Sequence, residues 1–187
     1  VGIDPGEVEH VDLYACFPSI VQMSTAALGL DPGRELTLTG GLGFAGAPIA
    51  NAVGQSLAAM VPAARHGGWA LVHGNGGYAT KQAFGIFRAE PPAAGFADID
   101  VQDQVDLAPR PALDAAWEGT VAVEAATVLY DRDGPDRVVA AVLTPDGARG
   151  WAVTTDPDIA ALAESDGLAD LPADLPARRT TDATLLL

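Results

Sequence analysis

Cysteine is nearly absent: Cys16 stands alone among 187 residues. No disulfide can close within the chain, and a single thiol suits a reducing compartment, so a cytoplasmic setting is expected. The first residues carry neither the basic stretch nor the apolar core that marks a secretory leader. Long hydrophobic runs are also missing. No apolar stretch reaches about 18 residues, which excludes a membrane-spanning helix on length. Positive charge is scarce, since ten Lys and Arg against 25 Asp and Glu leave a formal charge of -15. A surface of that sign repels phosphate backbones and anionic membranes, so neither nucleic acid nor membrane insertion is expected. His10 and His66 have no partners at metal-ligand spacing, and no metal site is expected. What remains, 49% hydrophobic and 19% charged residues, is an ordinary globular balance.

A second absence decides the reading of LTLTGGLGFAGAPIANAVGQSLAAM, residues 36 to 60. This stretch runs from a β-branched strand through a glycine turn into an amphipathic helix, and it contains Gly41-x-Gly43-x-x-Gly46. A dinucleotide fold would need an acidic side chain about 20 residues further on to hold the ribose hydroxyls. No Asp or Glu lies between Glu35 and Glu90. A phosphate loop would need Lys and Ser or Thr where Ala47 and Pro48 stand. The glycines therefore serve either a tight strand-to-helix turn or a close backbone approach to a ligand.

Two regions follow from composition. Glu90 to Gly95 holds two prolines and reads as a linker, which places one domain at 1–90 and another at 91–187. Residues 1 to 94 hold seven acidic and four basic side chains, and residues 95 to 187 hold 18 and six. In the first region, residues 11–17, 35–39, 69–72 and 82–88 read as strands and 19–28 and 51–65 as helices. Pro18 opens the first helix and Gly29 closes it. The second helix carries Val53, Leu57, Met60, Val61 and Ala64 at helical spacing, and Pro62 should disturb its last turn. This is an α/β pattern. In the second region, strands at 119–130, 137–143 and 150–154 form an antiparallel meander, followed by a helix at 158–164. The turn Asp131 to Asp136 resembles half of a calcium loop but lacks its closing Glu, so a hairpin turn is expected. From Asp170 the chain reads as loosely ordered up to the apolar end, Thr184 to Leu187.

Three segments, DLYACFPS at 12 to 19, TGGLGFAGAP at 39 to 48 and VHGNGGYATKQAFGIF at 72 to 87, resemble in order and spacing the C-terminal half of the thiolase superfamily. That half is a mixed sheet with helices, whose loops line an acyl-CoA site. The stretch AWEGTVAVEAATVLYDRDG at 116 to 134 resembles the additional C-terminal domain of type 1 thiolase-like, acetyl-CoA acetyltransferase-like proteins. A small antiparallel β-barrel-like domain is expected there, although its acidity opposes the nucleic-acid binding of many such barrels.

The resemblance implies a division of roles. Phe17, Gly41, Gly43, Phe44, Gly46, Ala47, Pro48, Asn75 and Gly76 would line the acyl-CoA site, and His73, Tyr14 and Cys16 are the catalytic candidates. Acyl-CoA or CoA would be a substrate, with no permanently bound cofactor. Claisen chemistry between thioesters needs a nucleophile, a base and an oxyanion hole. The family's nucleophilic cysteine belongs to an N-terminal half, expected here as a partner or upstream segment. Ala47 stands where the family has a histidine of the oxyanion hole, and it has no side-chain donor. His73 stands at the family's second cysteine, either exchanging protons or merely ending a buried strand. Tyr14 replaces an Asn or His, and Cys16 is either a core residue or a reactive thiol. Lys81 either meets a CoA phosphate or lies solvated on the surface. The implied function is an acyl-CoA-binding protein or acyltransferase subunit of lipid metabolism with weak or altered thiolase chemistry. The alternative is a non-enzymatic interaction or scaffold module. Both leave a hetero- or homo-oligomer open.

Overall fold

The computed structural model describes residues 2–165, 175–179 and 185–186. Contacts group into two units, Val1–Asp98 and Ile99–Leu187.

The first unit is built on a three-stranded sheet, β1 (His10–Asp12), β2 (Ala70–Gly76) and β3 (Lys81–Phe87), in that order. β1 runs parallel to β2, and β2 forms an antiparallel hairpin with β3. The central strand is buried on both faces, as its unbroken apolar start requires. Leu71 packs with Val8, Val11, Leu13 and Leu30, while Ala70 and Val72 pack with Met60 and Ala64. Alternation along β2 thus feeds two separate clusters. Leu13 has no exposed surface, a burial that contributes about 1.5–3 kcal/mol.

Helix α1 (Pro18–Leu28) starts where expected, with Pro18 at its first position, and stops at Gly29, whose φ of 63° is left-handed. The second expected helix, 51–65, forms as one helix from Ala52 to Arg65, and a further short helix that was not expected lies in the glycine loop before it. The short one is α2 (Leu42–Ala45), and the long one is α3 (Ala52–Arg65). α3 buries Ala52, Ser56, Met60 and Ala64, whereas Leu57 and Val61 of the expected apolar stripe are exposed. The buried line runs at i, i+4 spacing, so Met60 and Ala64 of the expected stripe face β2 together with the small Ala52 and Ser56, while Leu57 and Val61, one position further round, turn away from it. Pro62 does not end the helix, which continues to Arg65. The carbonyl that loses its donor belongs to Ala58, an exposed residue that water can reach.

Two expected strands are shorter than their composition suggested. The first ends at Asp12, so Tyr14, Ala15, Cys16 and Phe17 form a loop. The stretch 35–39 narrows to a single antiparallel bridge, Asp12 to Thr37. The reason is local. Thr39 N–H donates to the Asp12 carboxylate at 2.8 Å, and the next two residues, Gly40 and Gly41, take φ of 76° and 74°, so the ladder cannot extend. β2 instead runs past Val72 through the glycine-rich HGNG to Gly76.

The second unit opens with a short helix, α4 (Gln102–Asp106), and then closes a five-stranded barrel. Its strands are β4 (Gly119–Tyr130), β5 (Pro135–Leu143), β6 (Arg149–Thr154), β7 (Leu175–Arg179) and β8 (Leu185–Leu186), with helix α5 (Pro157–Glu164) after β6. The barrel order is β4-β5-β6-β8-β7, and β7 pairs back onto β4. The meander β4-β5-β6 is antiparallel, whereas β6 and β8 are parallel. Ala140, Ala152 and Ala177 fill the interior with Val121 and Val142, and such small side chains suit a narrow barrel. A bulge between Val123 and Ala125 leaves Glu124 outside the ladder, where it holds Arg149 through two bonds of 2.6 Å. The Asp131 turn is a hairpin turn. Its carboxylate accepts the N–H groups of Asp133 and Gly134 at 2.7 and 3.1 Å. Leu175–Arg179 is a strand, not loosely ordered chain, because it closes the barrel. The other residues of the expected loose stretch, 170–174 and 180–184, lie outside the described residues.

Candidate functional site

The loop after β1, the glycine loop around α2 and the far end of β2 meet in the first unit. Tyr14 and Ala15 line a recess of about 10 Å³ with Gly41, Gly46 and Ser56, which joins the first two loops to the start of α3. Such a volume is about that needed for one water molecule. The approach is close. A Cβ on Gly41 would lie 3.2 Å from the Ala15 methyl group. Gly41 and Gly46 bracket α2 with φ, ψ of 74°, -175° and 72°, -174°, a region that side-chain-bearing residues avoid. Gly43 lies inside α2, and a Cβ there would meet no atom within 4 Å. The nucleotide-like spacing therefore contains two obligatory glycines around a single helical turn. The long helix begins only at Ala52, so no phosphate cradle at the start of a long helix is formed.

The first loop and β2 are tied by hydrogen bonds. Tyr14 N–H donates to His73 Nδ1 at 3.3 Å, and Asn75 Nδ2 donates to Cys16 Sγ at 3.5 Å. His73 is 1% exposed. Its Nε2 lies 2.6 Å from Gln82 Oε1, and its ring stacks on Phe84 at 4.7 Å between centroids. Gln82 Nε2 donates to Asn75 Oδ1 at 2.8 Å. The hairpin register explains these contacts. Asn75 faces Gln82 and His73 faces Phe84 across the two strands, and residues two apart share a face.

The structure thus gathers Tyr14, Cys16, His73 and Asn75 into one polar cluster, with Gly41 and Gly46 around the adjoining recess. Tyr14 joins the cluster through its backbone, not its phenol. Ala47 is half-buried and Pro48 exposed on the following turn. Phe17 and Phe44 are exposed, Phe44 at 89%. Gly76 closes β2 opposite Lys81, which is itself exposed. Gln82, Ser24 and Phe84 were not sequence candidates. The Asn75 to Gln82 pairing was open to discovery in a hairpin register, but only once β2 is extended through its glycines. Among the described residues, no group of three or more His, Cys, Asp or Glu side chains could hold a metal ion. None of their helices is long and apolar enough to cross a membrane.

An α/β lobe with these three loops, followed in the chain by a five-stranded barrel, defines a thiolase-like protein. Residues 100–169 match the family described as "Thiolase-like protein type 1 additional C-terminal domain". Over 99% of its length the chain is similar to a monomeric SCP2-thiolase like protein type 1 from Mycobacterium smegmatis, with 33% identity and a TM-score of 0.82. It spans 41% of that protein's chain. The chain belongs to the type 1 thiolase-like proteins of the thiolase superfamily, as a portion that carries the additional C-terminal domain. No functionally curated protein matches it.

Proposed function

We propose that this chain forms the acyl-thioester-binding side of a thiolase-like protein, acting on acyl-CoA in lipid metabolism with weak or altered thiolase chemistry. The observation that carries this reading is the tie between the Tyr14 to Cys16 loop and the His73 to Asn75 strand beside the glycine loop. A thioester there would meet a thiol, an amide and a closely approaching backbone. Two features argue against efficient Claisen turnover. Ala47 offers no donor to an oxyanion, and losing one such donor costs on the order of 10²- to 10³-fold in rate. Both nitrogens of His73 are already engaged by protein groups, so the imidazole is not free to take a substrate proton. In this reading the nucleophile belongs to a thiolase segment outside this chain, on the same polypeptide or on a partner.

Titration of the intact protein with acetyl-CoA by calorimetry tests the reading, with Gly46→Val as the comparison. Saturable binding that Gly46→Val abolishes in a folded protein supports it. Equal affinity in both proteins, or none in the wild type, would refute it. A second reading, a non-enzymatic interaction module, draws on the exposed apolar tips Ile49 and Tyr78, at 102% and 95% exposure. Both tips hold left-handed backbone, with φ of 48° and 52°, an arrangement that concentrates at binding sites. Absence of acyl-CoA binding would favour this alternative.

A further inference from the structure

The hydrogen bonds around His73 have a direction that no member can reverse alone. A backbone N–H can only donate, so His73 Nδ1, which meets Tyr14 N–H at 3.3 Å, carries no proton. The imidazole is then neutral, with its one proton on Nε2. Nε2 lies 2.6 Å from Gln82 Oε1, which accepts that proton's bond. Gln82 must accordingly turn its amide nitrogen to Asn75 Oδ1, 2.8 Å away. Asn75 in turn directs its own amide nitrogen at Cys16 Sγ, 3.5 Å away. Each amide orientation follows from the one before it, and the series starts from a group fixed by the backbone. The groups that meet the ring are uncharged. They are Tyr14 N–H, the Ser24 hydroxyl of α1 at 3.5 Å, and Gln82 and Phe84 of β3.

We propose that Gln82 is a positioning residue of the candidate site. It carries the direction of hydrogen bonding from His73 to Asn75, so that the end of β2 presents the Asn75 amide N–H to a ligand carbonyl beside Cys16. Without Gln82 nothing in the relay distinguishes the two ends of the Asn75 amide, and one of them is an acceptor that would repel a carbonyl oxygen. The inference rests on the acyl-thioester reading for the identity of the ligand. The orientation itself can be measured without any ligand.

NMR of the intact protein with ¹⁵N-labelled His, Asn and Gln side chains provides the test. The wild type at about pH 7 should show His73 as the neutral Nε2–H tautomer. It should also show an NOE between the Asn75 amide protons and the Cys16 β-protons. In Gln82→Glu the carboxylate still accepts from Nε2–H, but it offers an oxygen to Asn75. The Asn75 amide should then turn over, the NOE should vanish, and acetyl-CoA affinity should fall by about tenfold. A protonated Nδ1 in the wild type would overturn the proposal, and so would an NOE that survives in folded Gln82→Glu. If that variant does not fold, the wild-type tautomer and NOE still decide the matter. A wild type that shows both signatures yet binds no acyl-CoA would refute the acyl-thioester reading while supporting the role of Gln82.

Discussion

The Asp12 carboxylate, 2% exposed, accepts the backbone N–H of Thr39 at 2.8 Å. This bond ends the short β-bridge and starts the glycine loop, so the shape of the candidate site depends on it. Asp12→Ala strands a donor next to a buried position and should cost about 1–3 kcal/mol. Asp12→Asn keeps an oxygen that can accept, and should lose less. Urea midpoints of the three proteins check this ranking, and an unchanged midpoint in Asp12→Ala would contradict it.

The glycines of the loop should respond unequally to substitution. Gly46→Val forces a β-branched residue into φ 72°, ψ -174° and should destabilise the protein by about 1–3 kcal/mol. Gly43→Ala places a methyl group in open space on a helical residue and should be neutral or stabilising by up to ~1 kcal/mol. Thermal melting of both variants tests the contrast. Equal losses would mean that the loop conformation is not the one described.

Thiolysis of acetoacetyl-CoA by the intact protein should be close to background, because Ala47 has no hydrogen-bond donor. Ala47→His should raise the rate, up to about 10²-fold where the remaining machinery is present. Steady-state assays of wild type, Ala47→His and His73→Ala provide the comparison. Appreciable wild-type turnover would contradict the altered-chemistry reading, whatever His73→Ala does to it, because both nitrogens of His73 are engaged by protein groups.

Stability on the acid side should depend on Glu9. The Trp69 backbone N–H, which donates to Glu9 Oε2 at 2.6 Å, is the main cause that holds its carboxyl below the usual value of 4.5, and Glu9's own backbone N–H adds to it. A lowered folded-state value means that the unfolded chain binds the proton more readily. The contribution is therefore complete above about pH 4.5 and is lost as the pH falls through the folded-state value. Glu9→Gln should melt lower than wild type at neutral pH, with the gap closing as the pH drops below 4.5. The effect should be small, since the side chain is open to solvent. A gap that stays constant with pH would rule out this carboxylate as its source.

Local features of the chain were readable without coordinates wherever neighbours in sequence set the geometry. Pro18 and Gly29 delimit α1 because one pre-sets a helical φ and the other accepts a left-handed one. The Asp131 turn forms through its own carboxylate and the next three residues. The three loop motifs, in their order, pointed to the thiolase superfamily, the strand stretches from Gly119 onward pointed to an antiparallel meander, and the resemblance of residues 116 to 134 implied the barrel-like domain. Composition misled where a short range of residues answers to distant ones. The 35–39 stretch has strand-forming residues, yet Asp12 takes the Thr39 N–H and the pairing stops. Leu57 and Val61 are apolar, yet the face of α3 that meets β2 is the Ala52, Ser56, Met60 and Ala64 line, and it leaves those two exposed.

The identities of Tyr14, Cys16, His73 and Asn75 as candidates came from their places in motifs, which are linear properties of the chain. What each group does with its protons came from folding. The bonds from Tyr14 to His73 and from Asn75 to Cys16 each join residues 59 positions apart. Such contacts depend on how the β1 loop lies against the β2–β3 hairpin and on which strand residues face each other. A shift of one residue in that register would move Gln82 to the other side of the sheet and leave His73 without its acceptor. The direction of the relay is thus a property of packing and register, and no single segment of sequence carries it.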